Sequence, residues 1–329
     1  MLTEMRANVA RNTNILQETL VLESRHLDRS VQVDFYLTKG SAGEGGEGER
    51  GSGDMGDEKG GGNGRSEKGN GDWIGAPRSG GGMSETTSLL LINDGQELGR
   101  LGLAGILDEL QESGNIAPLL CAGIYAGPDR KQEYGTACRP DYQGWGARAG
   151  DYARFIMEEL IPAIRRKYAV EAFKEKAFAG FSLGALSAMD IVWRHPEEFT
   201  RAGLFSGSFW WRTRDKEDPA YDEQRDRIMH DEVRKGGYYP WLKFFFECGT
   251  EDEREDRNGN GVIDSIDDTQ DLIGELVRKG YDSNGDIRYL QIEGGRHEVG
   301  TWAKAMPEFL LWGWARRATG PASEGQPRI

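Results

Sequence analysis

The chain has 329 residues, enough for one large domain or two small ones, and only 37% of them are hydrophobic. Its net charge of −14 makes it a polyanion that repels nucleic acid and anionic membrane, so neither is expected as a partner. The three cysteines, Cys121, Cys138 and Cys248, are odd in number and widely spaced, which excludes a disulfide framework or a zinc knuckle.

The N-terminus, MLTEMRANVARNTN, has no apolar run of the signal-peptide kind, and no apolar stretch approaches membrane-spanning length. The expectation is a soluble cytoplasmic protein. In LVLESRHLDRSVQVDFYL, apolar residues recur at every second place around Val31, Val33 and Phe35, which predicts a hairpin turning near Asp28 and Arg29. Residues 40–85 are dominated by Gly, Ser, Glu, Lys and Asp. Such a segment has too little apolar surface to offset its ordering entropy, so it is expected as a disordered insertion in a loop. The strand before it and SLLLIND after it are then expected as neighbours in one sheet.

From Ser88 the pattern alternates. LLLIND reads as a buried strand, Gly105 to Glu112 as a helix, and LLCAGIYAG as a second strand. GDYARFIMEELIPAIRRKY reads as a long amphipathic helix with Phe155, Leu160 and Ile164 on one side. KAFAGFS is a strand followed by the helix ALSAMDIVWRH. RAGLFSGS, WLKFFFECG and IRYLQIEGG are further strands, and WAKAMPEFLLWGWARR is a closing helix. Continuously apolar strands interleaved with helices predict an α/β fold, a mostly parallel sheet with helices on both faces. One domain is expected over 15–318, with a loose tail at 319–329.

Gly180-Phe181-Ser182-Leu183-Gly184 fits Gly-x-Ser-x-Gly and lies between a strand and a helix. That is the setting of a nucleophile elbow, in which a strained turn holds the serine hydroxyl clear of the sheet. The plainer reading is a Gly-rich turn with a capping serine. Of the four histidines, His26 lies in the hairpin, His195 at a helix end and His230 in a charged segment. His297 follows IRYLQIE, so it shares the strand C-terminal rim with Ser182. An acid should follow the intervening strand WLKFFFECG. Asp252 is the first choice, Glu251 the second and Asp256 the third. Its task is to accept the imidazole N–H and stabilise the imidazolium. Oxyanion donors are expected from the backbone of Leu183 and from Gly95-Gln96 after LLLIND.

Asp256-Arg257-Asn258-Gly259-Asn260-Gly261-Val262-Ile263-Asp264-Ser265-Ile266-Asp267 has the spacing of a calcium loop. Asp256, Asn258, Asn260, Val262 (through its carbonyl), Asp264 and Asp267 would be the ligands. An Asx-rich turn capping the following helix is the competing reading. Any Ca²⁺ is expected to be structural, and no cofactor is required for catalysis.

Taken together, LLLINDGQEL, DRKQEYG, GDYARFIMEELIPAIRRKY, GFSLGALSAM, LFSGSFWW, ECGTEDE and GGRHEVGTW resemble the esterase family that includes esterase D (S-formylglutathione hydrolase), enterochelin esterase and feruloyl esterase domains. The resemblance covers about Leu20 to Trp314 outside the Gly-rich segment. It implies an α/β-hydrolase fold without a large lid, cleavage of a small-molecule carboxylic ester, and a triad on Ser182, Asp252 and His297. Family members often carry His-Gly where this chain has Asp94-Gly95. Arg130 and Glu133 resemble an Arg-x-x-Glu element near the site of the siderophore-esterase branch. They either shape the pocket or pair with each other. Trp210 and Trp211 form either an aromatic wall for the substrate or core packing. Acyl transfer to another alcohol and a non-catalytic calcium-stabilised binding module are the alternative functions. The sequence leaves the substrate and the oligomeric state open.

Overall fold

The computed structural model describes residues 14–38 and 86–316. The expected insertion at 40–85 and the tail at 319–329 lie outside the described residues. Strands that are apolar along their whole length need cover on both faces. β3 (Ser88–Asn93) and β4 (Leu119–Ile124) are buried at every residue, and β5 (Lys176–Phe181) and β6 (Arg201–Phe205) at all but the first. With β7 (Lys243–Glu251) and β8 (Ile287–Arg296) they form a parallel array. β1 (Ile15–Ser24) and β2 (Arg29–Thr38) complete one eight-stranded sheet in the order β1-β2-β4-β3-β5-β6-β7-β8.

β1 and β2 form the expected hairpin, pairing from Ile15↔Thr38 to Ser24↔Arg29. The alternation in sequence is the pleat: Val31, Val33 and Phe35 are fully buried. One expectation is corrected. β2 and β3 are not neighbours, because β4 lies between them and pairs antiparallel to β2 and parallel to β3. The chain leaves β3 through the helix Leu103–Glu112 and returns beside it as β4, so the hairpin meets β4's outer edge.

Helices cover both faces. On one lie Ala149–Arg154 to Ile161–Tyr168, Leu183–Arg194, Ile228–Lys235 and Asp264–Lys279, whose apolar side chains merge into one core. On the other lie Leu103–Glu112 and Val299–Trp314. Phe155, Leu160 and Ile164 are fully buried, as their spacing predicts. That long helix widens to a π form over Phe155–Leu160. Pro162, at the start of the next segment, has no N–H to return to the preceding turn. Among the described residues, no helix is long and apolar enough to cross a membrane.

The order of strands fixes where chemistry can occur. The connection from β3 runs outward to β4, whereas that from β5 runs the other way to β6. The carboxyl ends of β3 and β5 therefore flank a topological switch point, where open α/β sheets leave a crevice.

Candidate active site

Ser182 stands at that point, one residue beyond β5. Its backbone is at φ 56°, ψ −123°, a conformation a non-glycine residue holds only under constraint, at a cost of roughly 1–3 kcal/mol. The flanking glycines explain how the turn closes. A Cβ on Gly180 would lie 2.3 Å from the carbonyl oxygen of Gly184, and one on Gly184 would lie 2.6 Å from Oδ2 of Asp94. Only hydrogen fits at either place. The Ser182 N–H donates to the Phe205 carbonyl at 2.9 Å, and the Ser208 N–H donates to the Ser182 carbonyl at 3.2 Å. These bonds tie the turn to the end of β6. The plainer reading, an ordinary capping turn, does not fit, because Ser182 makes no side-chain cap bond.

Ser182 opens into a cavity of about 410 Å³ whose walls include Asp94, Gln96, Arg130, Phe181, His297 and Trp302. His297 follows β8 directly and sits at the mouth, its ring edge-on to Trp302 at 5.6 Å. Trp302 stacks on Phe181 at 4.9 Å and donates from Nε1 to Ser206 Oγ at 2.9 Å, which fixes the wall behind the imidazole. The His297 pKa lies below its ordinary 6.5. Partial desolvation of the ring by the protein around it is the main cause. The Asp252 carboxylate opposes the shift and the Arg130 guanidinium adds to it.

Asp252 follows β7. Its Oδ2 accepts the Gly249 N–H at 3.1 Å, while Oδ1 is buried without a hydrogen-bond partner. Burial raises its pKa. Hydrogen bonding from Ser206 and Gly249, and then the charge of His297, act against that rise. The two other candidate acids are engaged elsewhere. Glu251 is exposed and pairs with Arg296 at 3.0 Å, and Asp256 caps its own loop. Among the described residues, the nearest hydrogen-bonding side chain to Ser182 Oγ is Ser208 Oγ at 3.5 Å, and no hydrogen bond joins His297 to Ser182 or Asp252. Catalytic hydrogen bonds of this kind commonly tighten only when substrate is seated.

The loop after β3 is a 3₁₀ turn, Gly95–Glu97, entered through Asp94 in the left-handed region at φ 58°, ψ 46°. Gly95 packs against the β4 backbone so closely that a Cβ would lie 2.4 Å from the Gly123 carbonyl carbon. Gln96 lines the cavity, and its Oε1 accepts the Ala126 N–H at 3.1 Å. Leu183 is the first residue of the elbow helix, whose opening N–H groups have no partner within the helix.

Arg130 and Glu133 do not pair with each other. Arg130 binds Asp94 through Nε and a terminal nitrogen, at 2.6 and 2.7 Å. Glu133 is fully buried and binds Arg29 at 2.8 and 2.6 Å. Three residues apart on one turn of helix, they take different partners: Arg130 lines the cavity and Glu133 anchors the hairpin. Trp211 is fully buried, touching Gly135 and Gly146, so core packing describes it. Trp210 lies beside it at 5.8 Å, and the aromatic lining comes from Phe181 and Trp302 instead.

The loop from Asp256 to Asp267 satisfies itself. Asp256 accepts the N–H groups of Asn260 and Gly261, Asn258 that of Asn260, and Asn260 that of Val262. Asp267 accepts the side-chain amides of Asn258 and Asn260. Asp264 is bound by Arg257, through its N–H at 2.8 Å and its guanidinium at 3.3 Å. Among the described residues, no three His, Cys, Asp or Glu side chains are grouped to hold a metal ion. These bonds form Asx-type turns on the way into the helix Asp264–Lys279, and they use the same oxygens a cation would take.

Sequence reasoning passed over Glu247, Ser206, Ser208, Trp302 and the partner of Arg130. Glu247 is fully buried on β7, and Ser206 is the hydrogen-bonding group beside its carboxyl. Burial, and after it the neighbouring Asp252 charge, push its carboxyl up to about 8. An acid inside the apolar run FFFE was the available signal, since ionisable groups are rarely buried without a reason.

A mostly parallel sheet with a strained, glycine-flanked serine at its switch point, sharing a cavity with a histidine, has the α/β-hydrolase fold. The sequence profile of the family described as "Putative esterase" matches residues 84–312. The chain belongs to that family. It is 25% identical over 209 residues to an endo-1,4-beta-xylanase/feruloyl esterase of Xylanibacter ruminicola, covering 63% of this chain and 22% of that protein. The chain thus spans less than a quarter of that relative's length. It is similar in structure to the enterobactin esterase FES of Shigella flexneri, with TM-score 0.58, 16% identity, and coverage of 93% of this chain and 60% of that one. It is also similar to the siderophore hydrolase EstB of Aspergillus nidulans, with TM-score 0.58, 13% identity, and coverage of 93% and 97%.

Proposed function

We propose that this esterase works through an acyl-enzyme, with Ser182 as nucleophile, His297 as general base and Asp252 as the acid behind it. The observation that carries the reading is the strained backbone of Ser182, which presents its hydroxyl to the cavity that His297 shares. His297, with its pKa held below 6.5, is neutral at physiological pH and free to take the Ser182 proton as the oxygen attacks the ester carbon. The imidazolium that forms is stabilised by Asp252, whose unpartnered Oδ1 is the oxygen available to the ring. The tetrahedral oxyanion takes hydrogen bonds from the N–H of Leu183 and from the Gly95-Gln96 turn. His297 then protonates the departing alcohol, and water, deprotonated by the same imidazole, releases the acid.

The stacked Phe181–Trp302 pair supports a substrate with an aromatic acid part. Feruloyl esters, from the name of the Xylanibacter relative, and dihydroxybenzoyl esters, from the dihydroxybenzoyl-glycine present with the Shigella esterase, are the first to try. The substrate is a small molecule, and neither nucleic acid nor membrane has a part. The Asp256–Asp267 loop supports the segment that carries Asp252, and a Ca²⁺ bound there would be structural. The test is Ser182→Ala. It should keep its fold, lose ester turnover and lose covalent labelling by a fluorophosphonate. Full turnover by that variant would refute the assignment.

A further inference from the structure

We infer that Ser206 is a positioning residue for the acid of the triad: its buried hydroxyl holds the Asp252 carboxylate toward His297 and ties it to the indole N–H of Trp302. This rests on the acyl-enzyme reading above, in which Asp252 stands behind His297.

Ser206 follows β6 directly and is buried. Its backbone lies at φ 45°, in the region a non-glycine residue holds only when its surroundings enforce it. Two bonds do so. Its N–H donates to the Glu247 carbonyl at 2.8 Å, and its Oγ accepts the Trp302 Nε1–H at 2.9 Å. An indole N–H only donates, so that bond uses a lone pair of Oγ and leaves the hydroxyl proton to be given elsewhere. Two carboxyls border the hydroxyl, those of Asp252 and Glu247. Glu247, fully buried in the apolar run of β7, keeps its own proton, whereas Asp252 lies beside His297. The single hydroxyl proton goes to the stronger acceptor, the Asp252 carboxylate.

Asp252 needs this second hold. Its Oδ2 accepts the Gly249 N–H at 3.1 Å, and its own N–H donates to the Gly249 carbonyl at 3.3 Å, so both backbone ties come from one residue. A carboxylate held at one oxygen can turn about that contact. Gly249 leaves it the space, since a Cβ there would lie 2.7 Å from Oδ1. The Ser206 hydroxyl removes that freedom. It also links the acid to the base from behind. Trp302 lies on the helix that follows His297, edge-on to the imidazole at 5.6 Å and stacked on Phe181 at 4.9 Å. Through one hydroxyl, the loop after β7 that carries Asp252 is joined to the helix after β8 that backs His297.

The test uses the full chain and a neutral p-nitrophenyl ester. Ser206→Gly removes the hydroxyl at a backbone angle that glycine adopts freely. Misplacement by an ångström is worth on the order of 100-fold, so kcat should fall about 10- to 100-fold with KM within a few-fold. The acid limb of kcat/KM should move to lower pH. Asp252 raises the His297 pKa and Arg130 lowers it, so a carboxylate that drifts away supports the imidazolium less while Arg130 acts as before. Glu247 and Cys248 of β7, which face Asp252, are held neutral by burial, and Glu97, Arg100 and Glu298 line the same cavity untouched by the substitution. Because Ser206 acts through Asp252, the same substitution should have almost no further effect on kcat in an Asp252→Ala background. Trp302→Phe guards against a Ser206 variant that fails to fold. It keeps a ring against Phe181 and His297, loses the N–H, and should lower kcat several-fold and move the acid limb the same way. Three results would overturn the inference: unchanged kcat in folded Ser206→Gly (or, where that variant does not fold, in Trp302→Phe), an acid limb that stays in place, or a loss repeated in full on Asp252→Ala. If Ser182→Ala also retained turnover, the acyl-enzyme reading itself would have failed. If Ser182→Ala were inactive and Ser206→Gly fully active, the role of Ser206 alone would be wrong.

Discussion

Glu247→Gln should stabilise the protein, and more strongly at higher pH. Glu247 is fully buried on β7, and burial holds its carboxyl at about 8 in the fold against an ordinary 4.5. Between those values the unfolded chain ionises while the folded chain stays protonated, so the unfolded state binds fewer protons and stability falls as pH rises. At pH 7.5 the linkage amounts to about 4 kcal/mol and at pH 5 to about 1, a difference of about 3 kcal/mol. Glutamine has nearly the same shape and does not titrate. Subtracting the wild-type midpoint from that of the variant at each pH removes every other titrating group. At about 2 °C per kcal/mol for a chain of this size, the advantage of the variant should grow by roughly 6 °C from pH 5 to pH 7.5 in a thermal melt. An advantage that is equal at the two pH values, or that shrinks, would show that Glu247 is ionised in the fold and would refute the argument.

The pH dependence of kcat/KM should show an acid limb with its midpoint below 6.5, since His297 must be neutral to act and its pKa lies below that value. A limb centred above 6.5 in a steady-state profile from pH 4.5 to 8 would contradict the assignment. Gly95→Ala should lower kcat by about 100-fold or more, because the new methyl would press on the Gly123 backbone and swing the oxyanion turn away. Kinetics at saturating ester would show it. Chelation with EDTA should leave kcat/KM unchanged, since every step of the proposed mechanism runs through Ser182, His297, Asp252 and backbone N–H groups. Thermal melts with millimolar Ca²⁺ and with EDTA would separately report a structural cation at the Asp256–Asp267 loop.

What the sequence disclosed and what it withheld divide along a physical line. Period and punctuation are local, so the strands, the long helix and the hairpin were all legible. So was the elbow, because Gly180 is required by a contact with the Gly184 carbonyl only four residues on. Ser182 and His297 could be placed on one rim because each follows a parallel strand, and the topology brings such ends together. The neighbour of β2 was not legible, because sequential order says nothing of which edge a crossover leaves free. Arg130 was visible as a charged residue near the site, but its partner was not. The choice between Glu133, three residues along, and Asp94, 36 residues back, depends on how a single turn of helix is aimed, and only the fold fixes that. Trp302 illustrates the same point. On the closing helix it reads as one more apolar residue, yet β8 and that helix together set it between Phe181 and His297 with its N–H on Ser206. A catalytic group can be named from the strand it follows. The residues that hold it in place lie wherever the packing puts them, and the strongest hint a sequence offers of those is a polar residue, such as Glu247 or Asn93, where only apolar ones would be expected.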